Sequence, residues 1–209
     1  MKKIFLMAAL LVAGFAQAQS KYEGAMAKGL DQMKEAKTAE DMAAVSAFFE
    51  RVADAEKDKW LAYYYAAHAN IVSVWMNQKL DKDKLSIKSK DLIAKAEALE
   101  PNNSEIFCLK QMVAIQQMMV DPMSRWQQYG QEATAAIQAA QKADPNNPRA
   151  YSLLGQYLMN VPEAFGGGKA VAKPILEKAV SLFKTFKPTS PFHPVWGEAD
   201  AQKALAACQ

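Results

Sequence analysis

The chain has 209 residues, 25 Lys and Arg against 22 Asp and Glu, and a formal charge of +3. Two of those positive charges, Lys2 and Lys3, precede a leader-like apolar run, and without them the balance falls to +1. Only three arginines, Arg51, Arg125 and Arg149, are spread along it, so the dense basic surface on which nucleic-acid recognition rests is missing and nucleic acid is excluded as a partner.

At the start, Ile4 to Phe15 is apolar and Ala16, Gln17 and Ala18 form a small-x-small site, which predicts a signal peptide over 1–18 cleaved after Ala18. The run is shorter than the ~20 apolar residues of a permanent span, and nothing later reads as one. A periplasmic or secreted product is expected, with 19–209 as a single domain, a length sufficient for a substantial core. Lys21 to Ala36 carries Ala25, Leu30 and Met33 at helical intervals. Thr38 and Asp41 then have capping-box spacing before a helix with Phe48, Phe49 and Val52 on its stripe.

Asp58 is read as opening the next helix, in which Trp60, Tyr63, Tyr64, Tyr65, Ile71, Val74 and Trp75 are apolar on more than one face; such a helix is enclosed on several sides. A charged loop, 79–84, leads to a helix over about 86–99 with Leu92, Ile93, Ala96 and Leu99 inward and Lys88, Lys90 and Lys95 solvated. Ser104 is taken as the cap of a helix containing Phe107, Leu109, Met112 and Val113. After Asp121 and Pro122 another helix runs through Trp126, Tyr129, Ala133, Ile137 and Ala140, with Gly130 a possible bend.

The stretch 144–183 states the whole pattern. Asp144, Pro145, Asn146, Asn147 and Pro148 supply a turn and a first-position proline. Tyr151, Leu154 and Leu158 form one stripe with Gly155 admitting a neighbour, and Ala172, Leu176, Ala179 and Phe183 answer it after a glycine-rich loop. The loop glycines are expected to turn the backbone sharply and to tuck Phe165 under the helices. Pro188, Pro191 and Pro194 then forbid continuous helix and predict a strap pinned by Phe192, Val195 and Trp196, with a short last helix over 198–207.

This spacing resembles the tetratricopeptide repeat, a helix-turn-helix unit. Tyr151, Leu154, Gly155 and Leu158 fall on first-helix positions and Ala172, Leu176 and Ala179 on the second; the two Pro-Asn-Asn turns, at Pro101 and Pro145, mark the same point of successive units 44 residues apart. Phe165 to Ala170 is also similar to a Phe-Gly-Gly turn of small exported bacterial repeat proteins. The resemblance implies an all-α stack of antiparallel hairpins, with a strap and a capping helix, whose concave wall is lined by set first-helix positions. Those positions nominate Leu61, Tyr65 and His68, then Cys108, Met112 and Gln116, then Arg149, Ser152, Gln156 and Asn160 as a groove for a protein or peptide. The alternative is a small-ligand binder or transporter accessory in which Tyr65, His68, Met112, Arg149 and Gln156 close around a pocket.

Catalysis and cofactors are not expected. Gly166, Gly167, Gly168 and Lys169 lack the upstream glycine and following Ser or Thr of a phosphate loop. His68 and His193 have no Cys or carboxylate cluster at metal-ligand spacing. Met112, Met118, Met119 and Met123 raise copper(I), but their apolar neighbours favour core filling. No Ser or Cys is joined to a base. Cys108 and Cys208 are not expected to pair, one lying in a helix and the other next to last.

Overall fold

The computed structural model describes residues 21–209; the predicted signal peptide and its cleavage site lie outside them. The described residues form nine α-helices and no strand, and no described helix is long and apolar enough to cross a membrane. They are α1 (21–35), α2 (Ala39–Ala55), α3 (Trp60–Met76), α4 (Lys82–Leu99), α5 (Ser104–Met118), α6 (Pro122–Ala143), α7 (Pro148–Asn160), α8 (Lys169–Thr185) and α9 (Glu198–Ala206). A single 3-10 turn, Glu163–Phe165, sits between α7 and α8.

Local chemistry sets the boundaries. The capping box forms as expected: Thr38 Oγ1 accepts from Asp41 N at 3.1 Å and Asp41 Oδ2 accepts from Thr38 N at 2.9 Å. Three boundaries differ from expectation. Helix α3 starts at Trp60 with Lys59 as an N-cap that makes no side-chain bond, so Asp58 stays outside. Helix α4 starts a turn early because Asp81 Oδ1 caps Lys84 N at 2.9 Å. The cap of α5 is Asn103 rather than Ser104, whose hydroxyl instead donates to Ala140 O at 2.8 Å.

Helices α2 and α3, α3 and α4, α5 and α6, and α7 and α8 pack as neighbours in turn, while α3, α5 and α7 touch in series and form an inner layer. The main core joins Met26, Phe49, Tyr64, Ile71, Ile93, Ile106 and Leu109. Between α7 and α8 the approach is close: a Cβ on Gly155 would stand 2.5 Å from Leu176 Cγ. The last helix, α9, packs on α7 and α8 through Ala201 and Ala204 and hides the end of the stack.

The two Pro-Asn-Asn turns lie at corresponding places, and the second binds the start of the helix that follows the first. Asn103 and Asn147 both cap the helix that follows, and Asn147 Nδ2 donates to Ser104 Oγ at 2.9 Å and to Glu105 Oε1 at 2.8 Å. The same offset carries Glu105 onto Arg149, and these two form a fully buried ion pair with Nε to Oε2 and Nη2 to Oε1 distances of 2.6 Å.

Candidate functional site

Two aromatic regions stand out. The first is the inner layer, where the strap between α8 and α9 lies across α1, α3, α5 and α7. Tyr65 donates its hydroxyl to Phe192 O at 2.8 Å, Trp196 Nε1 donates to Tyr64 Oη at 2.8 Å, and Arg149 Nη1 donates to Trp196 O at 3.4 Å. Phe192 also meets Tyr22 edge-on at 6.3 Å. His68 is stacked between Tyr64, at 6.1 Å, and Trp196, at 4.8 Å. Val195, expected to pin the strap, points outward at 64% exposure.

Electrostatics in this layer follow from dryness. Burial pulls the His68 imidazole down to about 4, with Glu105 opposing and Arg149 assisting. Burial pushes the Tyr64 hydroxyl well above its ordinary value, and Glu105 adds to this. For Glu105 burial alone would raise the carboxyl, but His193 and Arg149 outweigh it and hold it below the usual range; His193 Nε2 lies 3.7 Å from Glu105 Oε1. Arg149 is also covered by the Phe186 ring, 4.5 Å from its guanidinium carbon.

Most residues nominated for a groove therefore lie under the chain's own cover. Tyr65, His68, Cys108, Gln116, Arg149 and Ser152 are buried, Leu61, Met112 and Gln156 are half-buried, and Asn160 is exposed. They share the inner layer but do not converge on one pocket. Ser152 accepts from Gln156 Nε2 at 2.9 Å, and Gln116 Nε2 reaches Lys82 O at 3.3 Å. Cys108 and Cys208 are both free thiols, and Cys208 Sγ meets Met159 Sδ at 3.5 Å.

The second region is an exposed aromatic face at the far end of α5 and α7. Helix α6 has 22 residues and α7 has 13, so α6 is about 33 Å long and α7 about 20 Å. The residues that α6 buries begin only at Gly130, whose missing Cβ leaves room for the Tyr157 hydroxyl, 3.3 Å from where that carbon would be. Ahead of that point α6 overhangs its partner, presenting Met123 at 88% and Trp126 at 58% exposure. The loop after α7 faces it. Gly166 and Gly168 adopt φ of 81° and 96°, a region that costs a residue with a side chain, and the turn so made sends Phe165 outward at 74% exposure. The Trp126 and Phe165 rings face each other at 6.2 Å with a 34° tilt.

Met119 and Val120, in the turn before α6, are each 40% exposed as well. Two expectations are corrected: Phe165 does not tuck under the helices, and Met119 and Met123 do not fill core, Met119 closing α5 and Met123 lying on the part of α6 ahead of its first buried residue, Gly130. The residues missed were Met119, Met123, Trp126 and Phe165. The available signal was the unequal length of the helices on either side of the second Pro-Asn-Asn turn.

Two open depressions lie elsewhere, of about 420 Å³ beside Gln32, Asp41 and Arg51 and about 430 Å³ beside Asp144, Lys187 and His193. Both are wide and substantially polar, and neither includes a residue of the aromatic face. Among the described residues no three His, Cys, Asp or Glu side chains gather as a metal site.

Fold and surface thus define a class: a helical stack whose own strap covers Tyr64, Tyr65, His68 and Arg149 of the inner layer and whose Trp126 and Phe165 rings are left open to solvent. No protein-family model matches the chain, and no curated protein does. Among solved structures it is similar to the HusA haemophore from Porphyromonas gingivalis, with 36% sequence identity, a TM-score of 0.83, and 90% of this chain and 92% of that one covered. The chain belongs to the family of that haemophore.

Proposed function

We propose that the protein is a non-catalytic carrier of haem, exported through the signal peptide predicted over 1–18 and working as one domain of tetratricopeptide type over 19–209. The observation that carries this is the facing pair Trp126 and Phe165, both exposed and 6.2 Å apart. A flat aromatic ring between two others needs about 7 Å between the outer planes, two contacts of ~3.5 Å. The two rings, tilted by 34° with centroids 6.2 Å apart, stand too close for that, so a tetrapyrrole enters as the Phe165 turn swings away from α6 and the rings become parallel. Met119, Met123 and Val120 add an apolar and polarizable margin suited to the ring's edge.

Binding on this reading rests on stacking and apolar burial. Methionine and tyrosine are haem-ligand types, and Met119, Met123 and Tyr157 are the residues at the aromatic face that could approach an iron. His68 is enclosed by Tyr64 and Trp196, and His193 is engaged with Thr189 Oγ1 at 2.9 Å and lies beside Glu105. The inner layer's resident peptide is then the strap itself, and Leu61, Met112, Gln156 and Asn160 remain as its margins for any protein or peptide partner.

Titration of the full mature chain with haem and with metal-free protoporphyrin, followed by tryptophan quenching, tests the assignment. Trp126→Ala with Phe165→Ala lowers affinity for both at least tenfold, as loss of two stacking faces predicts, while Leu61→Ala with Gln156→Ala leaves it within about twofold. The opposite pattern moves the ligand to the inner layer, and no binding by the unaltered chain ends the reading.

A further inference from the structure

We propose that Met123 is an oxidation site that releases the ligand of the aromatic face: its sulfoxide, formed by a hydroperoxide, no longer supports a bound tetrapyrrole. The inference rests on the haem-carrier reading and adds a chemical control to the same site.

Susceptibility of methionine to oxidation follows exposure, and among the described methionines Met123 stands apart. It is 88% exposed, against 41% for Met76 and 40% for Met119, while Met26 and Met42 are 0% and 8% exposed in the core. Met123 stands one helical turn before Trp126 on α6, on the open side where no residue ahead of Gly130 is buried. Its side chain is therefore free to meet an oxidant and also placed to meet whatever enters beside the Trp126 ring.

The chemistry balances with the peroxide as sole co-reactant. A lone pair of the Met123 thioether attacks one peroxide oxygen, an S–O bond forms as the O–O bond breaks, and the other oxygen leaves with a proton as water or alcohol. Sulfur is oxidised by two electrons and the peroxide reduced by two. The product turns a polarizable apolar group into a strong acceptor. Against the apolar edge of a tetrapyrrole it would lose water without gaining a donor, which is unfavourable, whereas on the open face it is solvated. Oxidation thus favours the empty state.

The test uses the mature chain and metal-free protoporphyrin, which avoids iron–peroxide side reactions. Each protein is titrated before and after mild hydrogen peroxide, with peptide mass mapping to locate sulfoxide and circular dichroism to check helix content. The expected result is sulfoxide at Met123 and not at Met26 or Met42, unchanged helix content, and roughly tenfold weaker binding, as an unpaired buried acceptor implies. Methionine sulfoxide reductase restores the affinity. The ratio of affinities before and after peroxide falls to about one in Met123→Leu but persists in Met119→Leu, since only the first lacks the responsive sulfur. Full sulfoxide at Met123 with undiminished binding overturns the proposal and leaves the carrier reading standing. Failure of the untreated chain to bind protoporphyrin removes both.

Discussion

The inner layer and the α6 overhang are both aromatic, yet one is closed and the other open. In the inner layer Tyr64, Tyr65, His68 and Trp196 are stacked and bonded to a strap from the same chain. In the overhang Trp126 and Phe165 have little but each other. Aromatic content alone therefore does not locate a ligand; what matters is whether the chain supplies its own cover. On the proposed carrier function the closed region governs stability and the open one recognition, and substitutions should separate the two roles.

The largest effect is expected at Arg149. Arg149→Met leaves Glu105 charged and without its guanidinium in a site where both are buried, and breaking such a pair costs about 3–5 kcal/mol. Urea unfolding of the variant measures it. Adding Glu105→Met to Arg149→Met should recover much of that loss, because replacing both members of a buried pair is far milder than removing one. A double variant as unstable as the single one would show that Arg149 acts through Phe186 and the strap instead.

Next comes the pH response of the same layer. An unfolded chain protonates His68 near 6.5 while the folded one resists until about 4, so between these values the unfolded state binds more protons. The contribution is full above pH 6.5 and is lost as pH falls toward 4, by roughly 3 kcal/mol. Glu105, held below its ordinary value by His193 and Arg149, loses its stabilising charge only at lower pH, so the window from 4.5 to 6.5 lies above it, and comparison with His193→Gln separates the His68 imidazole from its neighbour beside Glu105. His68→Phe keeps a ring between Tyr64 and Trp196 and should flatten unfolding midpoints across that window; an unchanged slope would place the proton elsewhere.

A smaller effect is expected where the stack is tightest. Gly155→Ala sets a methyl 2.5 Å from Leu176 Cγ, and overpacking of this kind costs about 1–3 kcal/mol. Thermal unfolding checks it, and no loss would mean that Leu176 moves aside freely.

How much could be read beforehand follows from the same division. The capping box at Thr38, the paired turns at Asn103 and Asn147, and the Gly155 and Leu176 stripe were legible because each is a short-range or periodic constraint. The strap's prolines announced it, but its docking on Tyr65, His68 and Arg149 joins residues more than forty apart, and no local pattern encodes that. Positions 119–126 misled for a different reason. Met119, Met123 and Trp126 continue an apolar periodicity that normally means core, yet burial needs a covering neighbour, and Met119 closes α5 while α6 buries no residue ahead of Gly130. Phe165 depends on glycines whose positive φ sets a direction that composition does not give.

The smallest stability effect is expected in the open region, and its smallness is what makes it informative. Trp126 and Phe165 are 58% and 74% exposed, and surface substitutions away from caps, cavities and buried pairs stay within about 0.5 kcal/mol. Trp126→Ala, Phe165→Ala and the double variant should unfold in urea at nearly the unaltered midpoint. The coupling between the two positions should also be below about 0.5 kcal/mol, because a ring pair left in water gains little of its apolar contact. If either substitution instead costs as much as Gly155→Ala, the two rings hold the Phe165 turn against α6 as part of the fold. The open face would then be a structural clasp rather than a surface kept free for a ligand.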